Sequence, residues 1–542
     1  MKLPSYFING ALLKAALLCF YFFATHAHAV TSATIEALSL GDTGAKIDAI
    51  NAIASASDLS ALPVLQALKD GTLHVANGKQ AVIVSEKATL DALTQKEILP
   101  APADIEKVTI NNRLRGVLGT ALATLKLASD KRQVRLTAAK ALQNEPDADL
   151  LPLIEKALLK ETDPAVKAAL QQTQASIQLK SPDRAVRLNA VKILADSARE
   201  DAKNILAALL DKNAAGNFVE PDEQIRAEIK KSVSEIDSRL ARAEYAGRIF
   251  SGASLGSILL LAALGLAITY GLMGVINMAH GEMLMIGAYA TYGVQTLFRT
   301  YSPQWFDWYL LAALPVAFAA SALVGMVLER SVIRHLYGRP LETLLATWGI
   351  SLILIQSVRT IFGAQNVEVM NPSWMSGGFQ LAGDVVLPYN RIVIIAFAFV
   401  VLALVWALLN RTRLGLFVRA VTQNRGMADC VGVPTGKIDM WAFGLGSGIA
   451  GLGGCALSQI GNVGPDLGQS YIVDSFMVVV LGGVGQLAGT VVAGLGLGVV
   501  NKILEPFAGA VLAKIFILVF IIMFIQKRPQ GLFALKGRSV ES

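Results

Sequence analysis

The feature that most constrains this chain is the row of long apolar runs beginning near residue 250 and continuing almost to the C-terminus. A bilayer core about 30 Å thick is crossed by roughly 20 mostly apolar residues in a helix. Such runs are read near 255–276, 283–298, 309–328, 343–362, 391–409, 438–460, 472–485, 487–503 and 511–526. The segment 472–485 is short and reads either as a span or as a re-entrant piece, so eight to nine spans are expected. In lipid every backbone polar group must be satisfied within the protein, which makes these runs helices. The fold class expected is therefore all-α: a polytopic helical membrane bundle of about 8–9 spans behind a helical N-terminal domain.

Composition supports a division into three. Residues 1–29 resemble a secretory signal peptide: Lys2 and Lys14 lie near the apolar run Ala11–Ala24, and Ala27-His28-Ala29 is an Ala-x-Ala cleavage pattern. Residues 30–248 carry 29 basic and 29 acidic side chains, so the net +7 belongs to the leader and to the membrane domain 249–542. That distribution suggests basic cytoplasmic loops and no nucleic-acid face. Residues 30–248 contain no cysteine, so no disulfide staples them.

The 30–248 segment reads as a helical repeat. Val134-Arg135-Leu136, with Ala138 and Leu142, recurs as Val186-Arg187-Leu188, with Ala190 and Leu194, at an offset of 52. The pattern is HEAT-like, two helices per unit, each unit needing its neighbour to bury its apolar face. Docking of a protein partner is favoured over a plain spacer on fold analogy. Val75–Val84 has a turn flanked by β-formers and predicts a small hairpin insert.

Loop charge orients the membrane domain. Arg330, Arg334 and Arg339, then Arg411, Arg413, Arg419, Arg425 and Lys437, and finally Lys527, Arg528, Lys536 and Arg538 mark cytoplasmic loops. Counting back puts residue 249 outside the cytoplasm, in agreement with the signal segment. The N-terminal domain is then expected outside the cytoplasm, ahead of a multi-pass membrane domain.

Two sets of polar residues interrupt the apolar pattern. Asn277, His280 and Glu282 lie at the junction of the first two spans, and Gln459, Asn462, Asp474 and Ser475 near the outer ends of two later ones. Ionisable groups at the edge of a bilayer core are costly unless they face a protein interior or water. The junction reads either as part of a polar path or as a loop outside the lipid.

Enzyme motifs fail. Gly432–Lys437 has the wrong glycine spacing for a phosphate loop, His280-Gly281-Glu282 has no accompanying Pro-Cys-x-x-Cys, and Ser447 lacks a Gly-x-Ser-x-Gly frame. No catalytic residue, metal site or cofactor is assigned to this chain. The basic segment Arg411–Lys437 is amphipathic and predicts one or two short helices, ending near Gly432, that dock into a partner's groove.

Four motifs carry a family resemblance: INMAHGEMLMIGAY from Ile276, GLFVRAV from Gly415 with GVP at Gly432, VVVLGGVGQLAGTVVAG from Val478, and KRPQGLF from Lys527. From about 250 to 538 the chain resembles the permease subunits of branched-chain amino-acid-type ABC importers. Ser447–Gly483 and the long N-terminal extension resemble the urea-importing branch of that family. The resemblance implies a transporter subunit and no enzyme. Its partners would be a second permease, two cytoplasmic ATPases carrying ATP and Mg, and a periplasmic substrate-binding protein, in a lipid bilayer. The resemblance implies that this bilayer is a bacterial inner membrane and that the N-terminal domain is periplasmic. It also implies that Arg419, Ala420, Asn424 and Gly432 form the ATPase coupling loop. A urea path needs neutral donors and acceptors, which Asn277, Gln459, Asn462 and Ser475 supply. The alternatives are an importer permease for branched-chain amino acids, or a membrane-anchored scaffold or sensor working through its repeat domain.

Overall fold

The computed structural model describes residues 31–533 except 57–58, 86–87, 99, 101, 103, 145, 215 and 383–384. The expected signal segment, with Lys536 and Arg538, lies outside the described residues. The chain divides into two compact units, Met1–Asp237 and Ser238–Ser542.

The first unit opens with α1 (Ser32–Leu40), α2 (Thr43–Ala56) and α3 (Leu62–Asp70). Four short strands follow, β1 (Leu73–Ala76), β2 (Gln80–Val84), β3 (Thr89–Asp91) and β4 (Ile105–Lys107), in one antiparallel sheet of order β3-β2-β1-β4. The β1–β2 turn uses Asn77 and Gly78 at φ +51° and +65°, a conformation those two residues accept. The expected hairpin is thus two strands of a larger sheet, and the structure is mostly helical, 75%, with small sheets beside the expected helices. Leu38, Ile50, Leu65, Leu73 and Leu118 share one buried core between this sheet and its helices.

Helices α4 (Asn112–Leu127), α5 (Arg132–Asn144), α6 (Leu151–Lys160), α7 (Pro164–Gln178), α8 (Arg184–Ser197) and α9 (Glu200–Ala208) continue the unit. The sequence repeat has a structural counterpart. Arg135 pairs with Glu161 at 2.9 Å and donates from Nη1 to the carbonyls of Ser129 and Asp130. Arg187 pairs with Glu220 at 3.1 Å and donates to the carbonyls of Ser181 and Pro182. Arg226 donates in the same way to the carbonyls of Glu220 and Pro221. Each arginine ties the first turns of its helix to the loop that precedes it by satisfying two loop carbonyls.

The second unit begins within α10 (Glu223–Met273). Then come α11 (His280–Tyr301), α12 (Tyr309–Ser331), α13 (Pro340–Phe362), the hairpin β5 (Gly378–Ala382) and β6 (Val385–Pro388), α14 (Tyr389–Arg411), α15 (Arg413–Gln423), α16 (Arg425–Cys430), α17 (Thr435–Ser458), α18 (Leu467–Gly482) and α19 (Leu487–Lys527). Six described helices are long and apolar enough to cross a membrane, and α18, at 16 residues, is shorter. The runs expected as separate spans at 487–503 and 511–526 are two arms of α19, broken at Gly509, whose φ +78° and ψ 161° are not helical.

α17 packs directly on α10, α11 and α12. A Cβ at Gly446 would strike the Gly265 carbonyl, and one at Gly454 would fall on the Leu284 carbonyl. Where lipid provides no hydrophobic drive between helices, association depends on close packing of this kind.

Candidate functional site

The polar junction lies inside the second unit. α10 ends at Met273, and Gly274 at φ +65° turns the chain back. Residues 274–279 are non-helical and run into the bundle until His280 Nε2 is 3.0 Å from the Ala262 carbonyl. Ala262 lies about 16 Å back along α10, at about 1.5 Å per residue. α11 therefore starts in the interior. Irregular backbone at such depth is tolerated only where protein surrounds it. Asn277, His280 and Glu282 are 2%, 0% and 1% exposed, so all three face the protein interior.

Side chains satisfy two of the segment's backbone N–H groups. Asn277 Oδ1 accepts the Ala279 N–H at 3.0 Å, and the Met278 N–H donates to Thr347 Oγ1 at 3.1 Å. His280 Nε2 must carry the hydrogen, because a carbonyl only accepts. Ser351, one turn beyond Thr347 on α13, donates to Glu282 Oε1 at 2.9 Å. Gly281 meets Gly468 backbone to backbone, so the first turns of α11 and α18 converge on the Glu282 carboxylate. The partial positive charge of helix N-termini favours an anionic side chain there. Asn277 Nδ2, His280 Nδ1 and Glu282 Oε2 have no hydrogen-bond partner among the described residues.

The other expected path residues are distributed differently. Gln459 belongs to a second buried group: its Oε1 is 3.2 Å from the Tyr309 hydroxyl, which donates to the Met370 carbonyl at 2.7 Å, and its own carbonyl accepts from Asn390 Nδ2. Asn462 is exposed on the loop between α17 and α18. Asp474 pairs with Lys514 of α19 at 2.8 Å. Ser475 is buried and donates to the Tyr471 carbonyl within its own helix. Only Asn277, His280 and Glu282 are brought together.

The basic segment forms two short helices, α15 and α16. Asn424 caps α16, its Oδ1 accepting the Met427 N–H at 2.9 Å, and Gly432 leaves the segment at φ +87°. Arg419 is exposed and donates to Asn410 Oδ1, while Ala420 packs beside Val421 against the small core under these helices. Leu416, Met427 and Val431 are apolar side chains exposed at 58%, 62% and 71% on a basic element.

Sequence reasoning missed Thr347 and Ser351. Their signal is the recurrence Thr343, Thr347, Ser351 at intervals of four along an apolar helix, which puts all three on one face. It also missed Asp439 and Lys514, whose partners are distant in sequence.

Residues 248–525 match the family described as branched-chain amino acid transport system / permease component. The chain belongs to that family, and it is a transporter component and not an enzyme. It is 28% identical to the high-affinity branched-chain amino acid transport system permease protein BraD of Pseudomonas aeruginosa, over 53% of this chain and 95% of that protein. It is 26% identical to LivH of Escherichia coli K12, over 53% and 94%, and 25% identical to the probable LivH of Methanocaldococcus jannaschii, over 52% and 91%. No solved structure matches.

Proposed function

We propose that this chain is one of two permease subunits of an ATP-driven importer for a small solute rich in N–H donors, urea or a short-chain amide. The observation that carries the proposal is the interior group formed by Asn277, Glu282 and Ser351, where one amide donor and one carboxylate acceptor have no partner among the described residues. A solute presenting both a carbonyl and N–H groups would meet both needs, and leaving such groups unpaired costs about 1–3 kcal/mol each. Resemblance of Ser447–Gly483 and of the N-terminal extension to the urea branch supports urea.

A branched-chain amino acid is the second reading, and two observations favour it. The relatives named above are branched-chain amino acid permeases, and a buried carboxylate such as Glu282 suits an α-ammonium group.

The remaining parts follow the same proposal. α15–α16 would dock on cytoplasmic ATPases, which hold ATP and Mg. The first unit would be a periplasmic HEAT-like domain near a substrate-binding protein. The test is uptake of labelled urea against labelled leucine in cells expressing this chain with its neighbouring transport genes. Urea uptake abolished by Gly432→Val supports the proposal. Leucine uptake without urea uptake selects the second reading, and failure of both probes in an assembled complex overturns both.

A further inference from the structure

At the foot of α17 four elements meet around two buried carboxylates. Asp439, in the first turns of α17, is fully buried, and so is Glu329 near the end of α12. Arg425, the first residue of α16, forms an ion pair with Asp439 and lies with its guanidinium carbon 4.7 Å from the Tyr337 ring centroid. The Tyr337 hydroxyl donates to Glu329 Oε1 at 3.4 Å. Arg334 lies against Gly436, one residue past the start of α17.

Arg425 is 43% exposed at its side chain and Asp439 0%. The arginine therefore reaches inward from a surface element to a charge that water does not touch. Asp439 Oδ1 and Glu329 Oε2 have no hydrogen-bond partner among the described residues, so this corner already carries more carboxylate than it can satisfy. Removing one member of a buried pair strands the other charge, which is far more costly than the pair is worth intact. Separating α16 from α17 therefore takes the ion-pair partner from Asp439 and leaves it only the Tyr337 hydroxyl and the charge of Arg334. If α16 moves, α17 moves with it.

α17 is built to carry such a movement. A Cβ at Gly451 would strike the Ser321 hydroxyl and the Ala317 carbonyl of α12, and one at Gly454 the Leu284 carbonyl of α11. Contacts made by backbone have no side chain to yield, and closely packed interiors pass on a shift instead of absorbing it. Leu284 is two residues from Glu282, so the seam ends beside the interior polar group.

We propose that the Arg425–Asp439 pair is the mechanical link through which displacement of α15–α16 reaches Glu282, with α17 as the rigid element between them. Arg425 and Asp439 are positioning residues and touch no solute. The proposal rests on the permease function proposed above.

The test uses the whole importer, purified with its second permease and ATPases, reconstituted in liposomes and supplied with its binding protein. Uptake of labelled urea and of labelled leucine is measured against ATP hydrolysed. In Asp439→Asn and Arg425→Gln the uptake per ATP falls about tenfold, the equivalent of one lost charge-assisted hydrogen bond. Hydrolysis and retention of the ATPases stay within about twofold of the unaltered complex, and Arg425→Lys, which keeps the charge, falls between. Hydrogen exchange across residues 425–430 speeds up in Arg425→Gln, because the link that holds α16 to α17 is gone. An unchanged ratio of uptake to hydrolysis, or a parallel fall of uptake, hydrolysis and ATPase retention, overturns the link while leaving the permease reading in place. An unaltered complex that moves neither probe overturns the permease reading and the link with it.

Discussion

Ser351 on α13 donates to the carboxylate of Glu282 on α11 at 2.9 Å, across 69 positions of sequence. That bond joins a helix starting inside the bundle to the Thr343, Thr347 and Ser351 face of a neighbouring apolar helix. Ser351→Ala leaves the buried Glu282 without its described partner, a cost of about 1–3 kcal/mol. Uptake by the assembled importer should fall about tenfold with little loss of assembled complex. Glu282→Gln keeps shape and removes charge. Uptake of a neutral amide should then stay within about fivefold, whereas uptake of an amino acid, which presents an ammonium group, should be lost. Both are read from labelled-solute uptake.

Gly454→Val should prevent close packing of α17 on α11, because the new side chain meets the Leu284 backbone. Overpacking of this kind costs about 1–3 kcal/mol, more where backbone must move. A lower Tm of the purified chain in detergent checks it. The same substitution at Gly349, where a Cβ meets nothing within 4 Å, should leave Tm almost unchanged.

Asp474 is 10% exposed at its side chain and Lys514 is its ion-pair partner, with Asn501 lining the same spot. Lys514→Met takes away the ion-pair partner of Asp474 and, because Lys514 itself is 46% exposed, should destabilise the second unit by about 1 kcal/mol. The double variant Lys514→Met with Asp474→Asn should recover most of that loss, as a double-mutant cycle on Tm would show.

Gly432 has open space around its Cα, so the constraint there is its φ of +87° and not crowding. A β-branched residue is strained in that region by about 1–2 kcal/mol. Gly432→Val should therefore shift α16 and lower uptake while the chain still enters the membrane. Membrane-fraction content and uptake, measured together, separate the two effects.

In the first unit, burial tends to raise the Glu161 carboxyl, but hydrogen bonds from Arg135 and from the Asp163 and Thr162 backbones outweigh it and hold it below its ordinary 4.5. A carboxylate lowered on folding contributes stability that is complete above the ordinary value and is lost as pH falls through the folded one. Hydrogen exchange across residues 132–178 of the full chain should speed up as pH drops below 4.5, after correction for intrinsic rates. Arg135→Ala should weaken that pH dependence, since the group that lowers Glu161 is gone.

Much of this was legible in the residues themselves. Apolar length, the Arg135 and Arg187 repeat, the Asn77-Gly78 turn and the amphipathic 411–437 segment each depend on neighbours in sequence, and each has its structural counterpart. The four-stranded sheet was only half visible, because β3 and β4 are three residues long and carry too little periodicity to recognise. The break in α19 was legible, since the apolar runs at 487–503 and 511–526 fall on either side of Gly509.

The sequence alone determined that the chain has a membrane-spanning half of permease type, and that Asn277, His280 and Glu282 are out of place in it. Local composition is enough for that, since burying polar groups in lipid is costly wherever the chain goes. Which polar residues meet was decided by tertiary structure. Asp474 turned to Lys514, Gln459 to Tyr309, Asp439 to Arg425, and Glu282 to Ser351. Those pairings depend on how glycine-lined helices approach one another and on a segment that folds back from Gly274, geometry that no single stretch of sequence contains.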